Sequence, residues 1–134
     1  HVKEAIRGAQ ALGMLGLNVT LPYKETVLEY ADTVCDMARE IGAANTLIFS
    51  QGKIHATNTD AYGLMANLKH ASAEIKHRLS RVVVLGAGGA ARAAMSALAR
   101  EGAGEILCTN RTKSSAETLA GSMPYAITVV DWNK

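Results

Sequence analysis

The chain has 134 residues, 49% of them apolar, and a formal charge of +2 at pH 7. This is enough apolar material for a packed core, and so small a net charge gives no basic face for nucleic acid or an anionic membrane. No apolar run approaches the roughly 18 residues needed to cross a bilayer. Cys35 and Cys108 lack Cys-x-x-Cys spacing and read as buried free thiols in a reducing, cytoplasmic setting, and the four histidines show no ligand spacing, so no metal site is expected.

In chain order, Val2, Ala5, Ile6, Ala9 and Leu12 recur at helical spacing, with Gly13 and Gly16 available to end that helix. A short strand is expected over 17–20. Pro22 suits a first helical turn, which puts Lys24 where strand gives way to helix. Asp32 or Thr33 is expected to cap a helix running to Ile41 and stopped by Gly42. Residues 45–50 and 53–57 read as strands joined by the Gln51-Gly52 turn, and Asp60 emerges just past the second. A helix over 61–79, with Leu64, Leu68, Ala71 and Ile75 on one stripe, is expected to link two lobes.

The second lobe begins at Arg81. Val82 to Leu85 form an unbroken apolar run of the kind buried on both faces of a parallel sheet. Helix over 90–100, strand over 105–109, helix over 114–120 and strand over 126–130 follow. The fold class is therefore α/β: part of a substrate-binding lobe (1–60), a linking helix (61–80) and the first half of a Rossmann-type doubly wound parallel sheet (81–134).

Two groups of residues carry chemistry. Gly86-Ala87-Gly88-Gly89-Ala90-Ala91 fits the fingerprint Gly-x-Gly-x-x-Ala. Its first glycine allows the tight turn, its second lets a pyrophosphate approach the backbone, and the small Ala91 lets helix pack on strand. Glycine-rich turns also join strands to helices for steric reasons alone, but strand before and helix after favour a dinucleotide. Where NAD-selective folds place an acidic residue for the ribose 2′-hydroxyl, this chain has Asn110-Arg111-Thr112-Lys113, which suits the 2′-phosphate of NADP; a solvated basic loop is the alternative. In the first lobe, Lys24 and Asp60 stand among Asn18, Thr20, Asn45, Asn58 and Thr59, short amides and hydroxyls suited to a small substrate with several hydroxyl groups. An ammonium beside a carboxylate can exchange a proton with a substrate oxygen. Taken alone, a lysine and an aspartate are more often surface charges.

Asn18-Val19-Thr20-Leu21-Pro22-Tyr23-Lys24, Gly42-Ala43-Ala44-Asn45-Thr46, Asn58-Thr59-Asp60, Gly86-Ala87-Gly88-Gly89-Ala90 and Asn110-Arg111-Thr112 resemble, in order and spacing, the signatures of shikimate dehydrogenases. The resemblance implies reversible reduction of 3-dehydroshikimate to shikimate with NADP as cofactor, in the pathway toward aromatic amino acids. It implies Lys24 and Asp60 as the catalytic pair, with Asn18, Thr20, Lys24, Asn45 and Asp60 on the substrate. Gly86, Ala87, Gly88, Gly89, Ala90, Asn110, Arg111 and Thr112 are implied on the cofactor. It further implies that the family's substrate-carboxylate serines precede this chain and its last nucleotide-binding strands follow it, so the isolated chain is expected to be inactive. A quinate/shikimate dehydrogenase using NAD and a non-catalytic dinucleotide sensor are the alternatives. Asp60 is followed by Ala61-Tyr62-Gly63, where many relatives have a glycine directly after the aspartate; Tyr62 is read as a lobe-packing residue, with narrowing of the substrate cleft as the alternative.

Overall fold

The structure is a computed structural model and describes residues 1–72 and 74–132. The chain divides into two compact units, His1–Thr59 and Asp60–Lys134.

The first unit is a mixed four-stranded sheet in the order β1-β3-β4-β2. Helix α1 (Val2–Ala11) buries Ile6 and Ala9, whereas Leu12 is its exposed C-cap rather than part of the buried stripe. β1 (Gly16–Asn18) pairs antiparallel with β3 (Thr46–Ser50). Gly16 is needed here because a Cβ would strike the Leu47 carbonyl oxygen. β3 turns into β4 (Lys53–Thr57) through Gln51 and Gly52, both at positive φ (51° and 75°), the conformation a two-residue hairpin turn demands. Val27, Ala38, Leu47, Ile54 and Ala56 form the core with Ile6.

Four local expectations in this unit are corrected. The strand after α1 stops at Asn18, and Pro22 opens no helix. The Leu21-Pro22 bond is cis, Tyr23 N–H donates to the Thr20 carbonyl (3.0 Å), and only a short 3-10 helix (Thr26–Tyr30) follows. Neither Asp32 nor Thr33 caps a helix, because both are taken by β4. The Asp32 carboxylate accepts from Ile54 N–H (2.7 Å), the Thr33 hydroxyl bonds His55 Nδ1 (2.6 Å), and Thr33–Val34 become β2, parallel to β4. Helix α2 is consequently only Asp36–Ile41, ended by Gly42 at φ 71°. Its N-cap is Cys35, whose Sγ accepts from Ala38 N–H (3.3 Å). A capping side chain lies at a helix end facing solvent, so Cys35 is exposed, not buried; Cys108 is buried as expected.

The second unit begins with α3 (Asp60–Ala71), whose buried residues are Ala61 and Met65. The helix expected to reach residue 79 ends early, giving way to a 3-10 helix, Ile75–Arg78, with Ala73 between them outside the described residues. Three parallel strands then alternate with two helices: β5 (Arg81–Leu85), α4 (Gly89–Arg100), β6 (Glu105–Thr109), α5 (Lys113–Ser122) and β7 (Ile127–Val129), in sheet order β5-β6-β7. This is the β-α-β-α-β half-sheet read from the sequence. α4 packs on α3, β5 and β6. Its Ala91, Ala93 and Ala97 are buried, as close helix-strand packing requires. Gly104 carries no side chain because a Cβ would lie 2.7 Å from the Ser80 carbonyl oxygen.

One expectation about this sheet is corrected. β5 is not buried on both faces: Val82 and Val84 are half-buried, while Val83 and Leu85 are 56% and 70% exposed. β5 is an edge strand here, and the alternation marks one covered and one open face.

Candidate functional site

In the first unit, the polar clusters meet at one end of the sheet. Asn18 ends β1, Thr46 begins β3 and Thr57 ends β4, and the pairing register sets these three side by side. Backbone bonds then tie the flanking loops together. Val19 N–H donates to the Asn45 carbonyl (2.7 Å), Asn45 N–H to the Thr57 carbonyl (3.1 Å), and Ala44 N–H to the Lys24 carbonyl (2.7 Å). Asn18, Thr20 and Lys24 of one segment and Asn45 of another are therefore neighbours. Asn18 and Thr20 are exposed, and Lys24 and Asn45 half-buried.

Asn45 also organises the strand that leads to Asp60. Its Oδ1 accepts from Thr59 N–H (3.0 Å) and from the Thr46 hydroxyl (3.0 Å), and its Nδ2 donates to Thr59 Oγ1 (2.9 Å). Asn58, buried, donates to the Ala43 carbonyl (2.9 Å) and locks the same two loops from below. Asn58 and Thr59 thus hold the loops that carry the polar cluster. Asp60, the next residue, is half-buried in the first turn of α3 and belongs to the second unit. Tyr62, read as a packing residue, is 79% exposed in this chain.

Sequence reading missed Cys35 at this sheet end. Its thiol lies 3.3 Å from the Thr57 hydroxyl. Burial pushes this thiol up, but its bonds with Thr57 and the N–H groups of Ala38, Asn58 and Met37 outweigh that and hold it below the ordinary range. No spacing signal marks it, because its role comes from capping a helix that starts later than expected.

In the second unit, the glycine turn and the basic loop lie together at the carboxyl end of the parallel sheet. Leu85 and Thr109, the last residues of β5 and β6, are in register, and Gly86 N–H donates to the Thr109 carbonyl (2.8 Å). Gly86 has φ +114°, which L side chains rarely adopt, so the backbone itself requires glycine there. Gly88 does not share that need. As the N-cap of α4 it has φ −94° and ψ −174°, open to any residue, and a Cβ on Gly88 or Gly89 would meet nothing within 4 Å. What these two glycines keep clear is space outside the protein, beside the helix-start amides that α4 leaves without internal partners. The turn therefore fits a dinucleotide pyrophosphate.

The basic loop resolves into different roles. Asn110 Nδ2 donates to the Thr112 carbonyl (2.9 Å) and shapes the loop, and Thr112 is the N-cap of α5 with its hydroxyl not used as a cap. Lys113 pairs with Asp131 (2.9 Å), and this hydrogen bond raises its pKa. Arg111 is exposed and has no ion-pair partner among the described residues.

The "Shikimate / quinate 5-dehydrogenase" family model matches residues 67–134, half of the chain, and the "Shikimate dehydrogenase substrate binding domain" model matches residues 1–47. The chain belongs to the shikimate/quinate dehydrogenase family. It is 48% identical over 131 residues to the shikimate dehydrogenase (NADP(+)) of Dinoroseobacter shibae, covering 97% of this chain and 47% of that protein. Among solved structures it is similar to shikimate dehydrogenase from Aquifex aeolicus (44% identity, TM-score 0.87, 96% of this chain and 47% of that one). It is also similar to quinate dehydrogenase from Corynebacterium glutamicum in complex with NAD (31% identity, TM-score 0.90, 98% and 48%). The chain spans about half the length of the relatives it matches. These relatives share the Rossmann-type α/β fold to which the parallel half-sheet belongs.

Proposed function

We propose that the complete protein carrying this chain reversibly reduces 3-dehydroshikimate to shikimate with NADPH, and that Lys24 and Asp60 are its proton-transfer pair. The observation that carries the reading is how two adjacent residues hold both segments: Ala44 N–H holds the Lys24 backbone, while the Asn45 side chain holds Thr59, the residue before Asp60. A surface lysine and a surface aspartate need no shared anchor. Asn18, Thr20 and Asn45 are the substrate's hydroxyl partners in this reading. Asp60 shares a substrate hydroxyl in the same reading.

When bound, NADPH would supply the hydride to the carbonyl carbon of 3-dehydroshikimate, and the Lys24 ammonium would give the carbonyl oxygen its proton. In the oxidation direction Lys24 takes the hydroxyl proton back. On the cofactor side, Gly86, Ala87, Gly88, Gly89 and Ala90 receive the pyrophosphate. Arg111, aided by Asn110 and Thr112, receives the 2′-phosphate. The name of the Dinoroseobacter relative supports NADP. The absence of any acidic residue in Asn110-Arg111-Thr112 argues against the NAD-using quinate alternative.

The test is a spectrophotometric assay of the full-length protein, with shikimate and NADP and then with quinate and NAD. A kcat/KM for shikimate with NADP at least tenfold above every other pairing is expected. A preference for quinate with NAD, or no turnover of either substrate, would overturn the reading.

A further inference from the structure

The sequence fingerprint ends at Ala91, and the next residue has no role in it. Arg92 lies in the first turn of α4, its N–H bonded to the Gly88 carbonyl (3.0 Å), and is half-buried. It borders a cavity of about 290 Å³ whose other lining residues are Ala87 of the glycine turn and Ser114, Ser115, Thr118 and Leu119 of α5. No carboxylate among the described residues lines this cavity.

Elsewhere in this unit, cations are paired: Lys69 with Glu101, Arg78 with Glu74, Arg81 with Glu105 and Lys113 with Asp131. Arg92 and Arg111 have no such partner among the described residues. A half-buried guanidinium that has lost part of its hydration without gaining an anion marks a place where an anion arrives. The two unpaired arginines stand on elements that start at the same sheet end, one on the helix after β5 and one in the loop after β6.

Resting on the NADP reading above, we propose that Arg92 is a second cation on the cofactor's 2′-phosphate, in addition to Arg111, with hydroxyl groups of α5 completing the cavity. Thr118 has its own hydroxyl proton committed to the Ser114 carbonyl (2.9 Å), which leaves Ser114 and Ser115 as the hydroxyl donors. A dianionic phosphate matches this set of one guanidinium and two hydroxyls. The amides of the glycine turn would serve the pyrophosphate, which leaves the Arg92 guanidinium and the hydroxyls of α5 for the second phosphate group.

The test measures binding of 2′,5′-ADP and 5′-AMP to the full-length protein by calorimetry, comparing wild type, Arg92→Gln, Ser115→Asp and Arg111→Ala. Arg92→Gln should weaken 2′,5′-ADP by about tenfold, the lower end for a hydrogen bond to a charged group, and 5′-AMP by less than about twofold. Ser115→Asp, an exposed position where folding is not at stake, should weaken 2′,5′-ADP selectively by placing a carboxylate in the cavity. Equal losses for both ligands in Arg92→Gln would put Arg92 on the shared 5′ side, and unchanged binding in both variants would leave it without a ligand; either overturns the proposal. If only Arg111→Ala lowers the preference for 2′,5′-ADP, this inference fails while the NADP reading stands. Wild-type protein that binds the two ligands equally well would sink that reading too.

Discussion

Gly88→Ala separates what the fold needs from what the cofactor needs. A Cβ at Gly88 touches no protein atom within 4 Å, and the backbone there (φ −94°, ψ −174°) suits any residue. Two small opposing effects on folding are expected: alanine lowers the entropy of the unfolded chain by roughly 0.4–1 kcal/mol, and it is a poorer N-cap than glycine by about 0.5–1 kcal/mol. Net stability should therefore stay within about 1 kcal/mol of wild type. Binding should not survive as well, because the new methyl group occupies the space beside the free amides at the start of α4. Losing one hydrogen bond to a charged phosphate weakens binding by about 1.5–3 kcal/mol, which is roughly ten- to 150-fold in Kd for NADPH. Gly86→Ala is the contrasting control. At φ +114° alanine is strained, so this variant should lose about 1–3 kcal/mol of stability before any ligand is added. Denaturant unfolding of the apoprotein and a fluorescence titration with NADPH measure the two quantities on the same samples. Gly88→Ala protein that binds NADPH within threefold of wild type would refute the claim that the open space at the turn belongs to a pyrophosphate.

Three further outcomes are expected. Lys24→Ala in the full-length enzyme should lower kcat by roughly 10²- to 10⁴-fold, the range for a positioned general acid/base, with substrate KM less affected; Asp60→Asn and the double variant should be non-additive with it, and a kcat near wild type would remove Lys24 from the chemistry. Arg111→Ala should reduce the NADP-over-NAD ratio of kcat/KM by about one order of magnitude, since a charge-assisted hydrogen bond at an exposed site falls at the lower end of its range; an unchanged ratio would make Arg111 a solvated loop residue. Ser96 is fully buried in α4, and its hydroxyl has no hydrogen-bond partner among the described residues. Ser96→Ala should raise stability by about 1–2 kcal/mol in denaturant unfolding, through relief of an unsatisfied polar group and better helix propensity.

Much of this architecture was legible in the chain itself. The strand-turn-helix around Gly86, the β-α-β-α-β order after Arg81, the Gln51-Gly52 hairpin and the stop at Gly42 all rest on local causes: side-chain periodicity, glycine at positive φ and the apolar run before the turn. The family motifs were legible for the same reason, since each is a short run whose residue types suit one local task. The sequence misled where a polar side chain had two possible partners. Asp32 and Thr33 are good helix caps in isolation, but the folded chain brings β4 beside them, and Asp32 bonds Ile54 N–H while Thr33 bonds His55. The cap then falls to Cys35, which no capping preference would have chosen. The apolar run of β5 likewise announced a strand but not how many of its faces would be covered, because coverage depends on which elements pack against the sheet. Only the tertiary structure distinguished the glycine that the backbone requires, Gly86, from the one beside open space, Gly88. It alone showed Lys113 engaged by Asp131 while Arg92 and Arg111 have no carboxylate among the described residues. A local pattern encodes which conformation a segment prefers; which partner its polar groups find is decided by segments far along the chain, and that becomes determinate only once the sheet has closed.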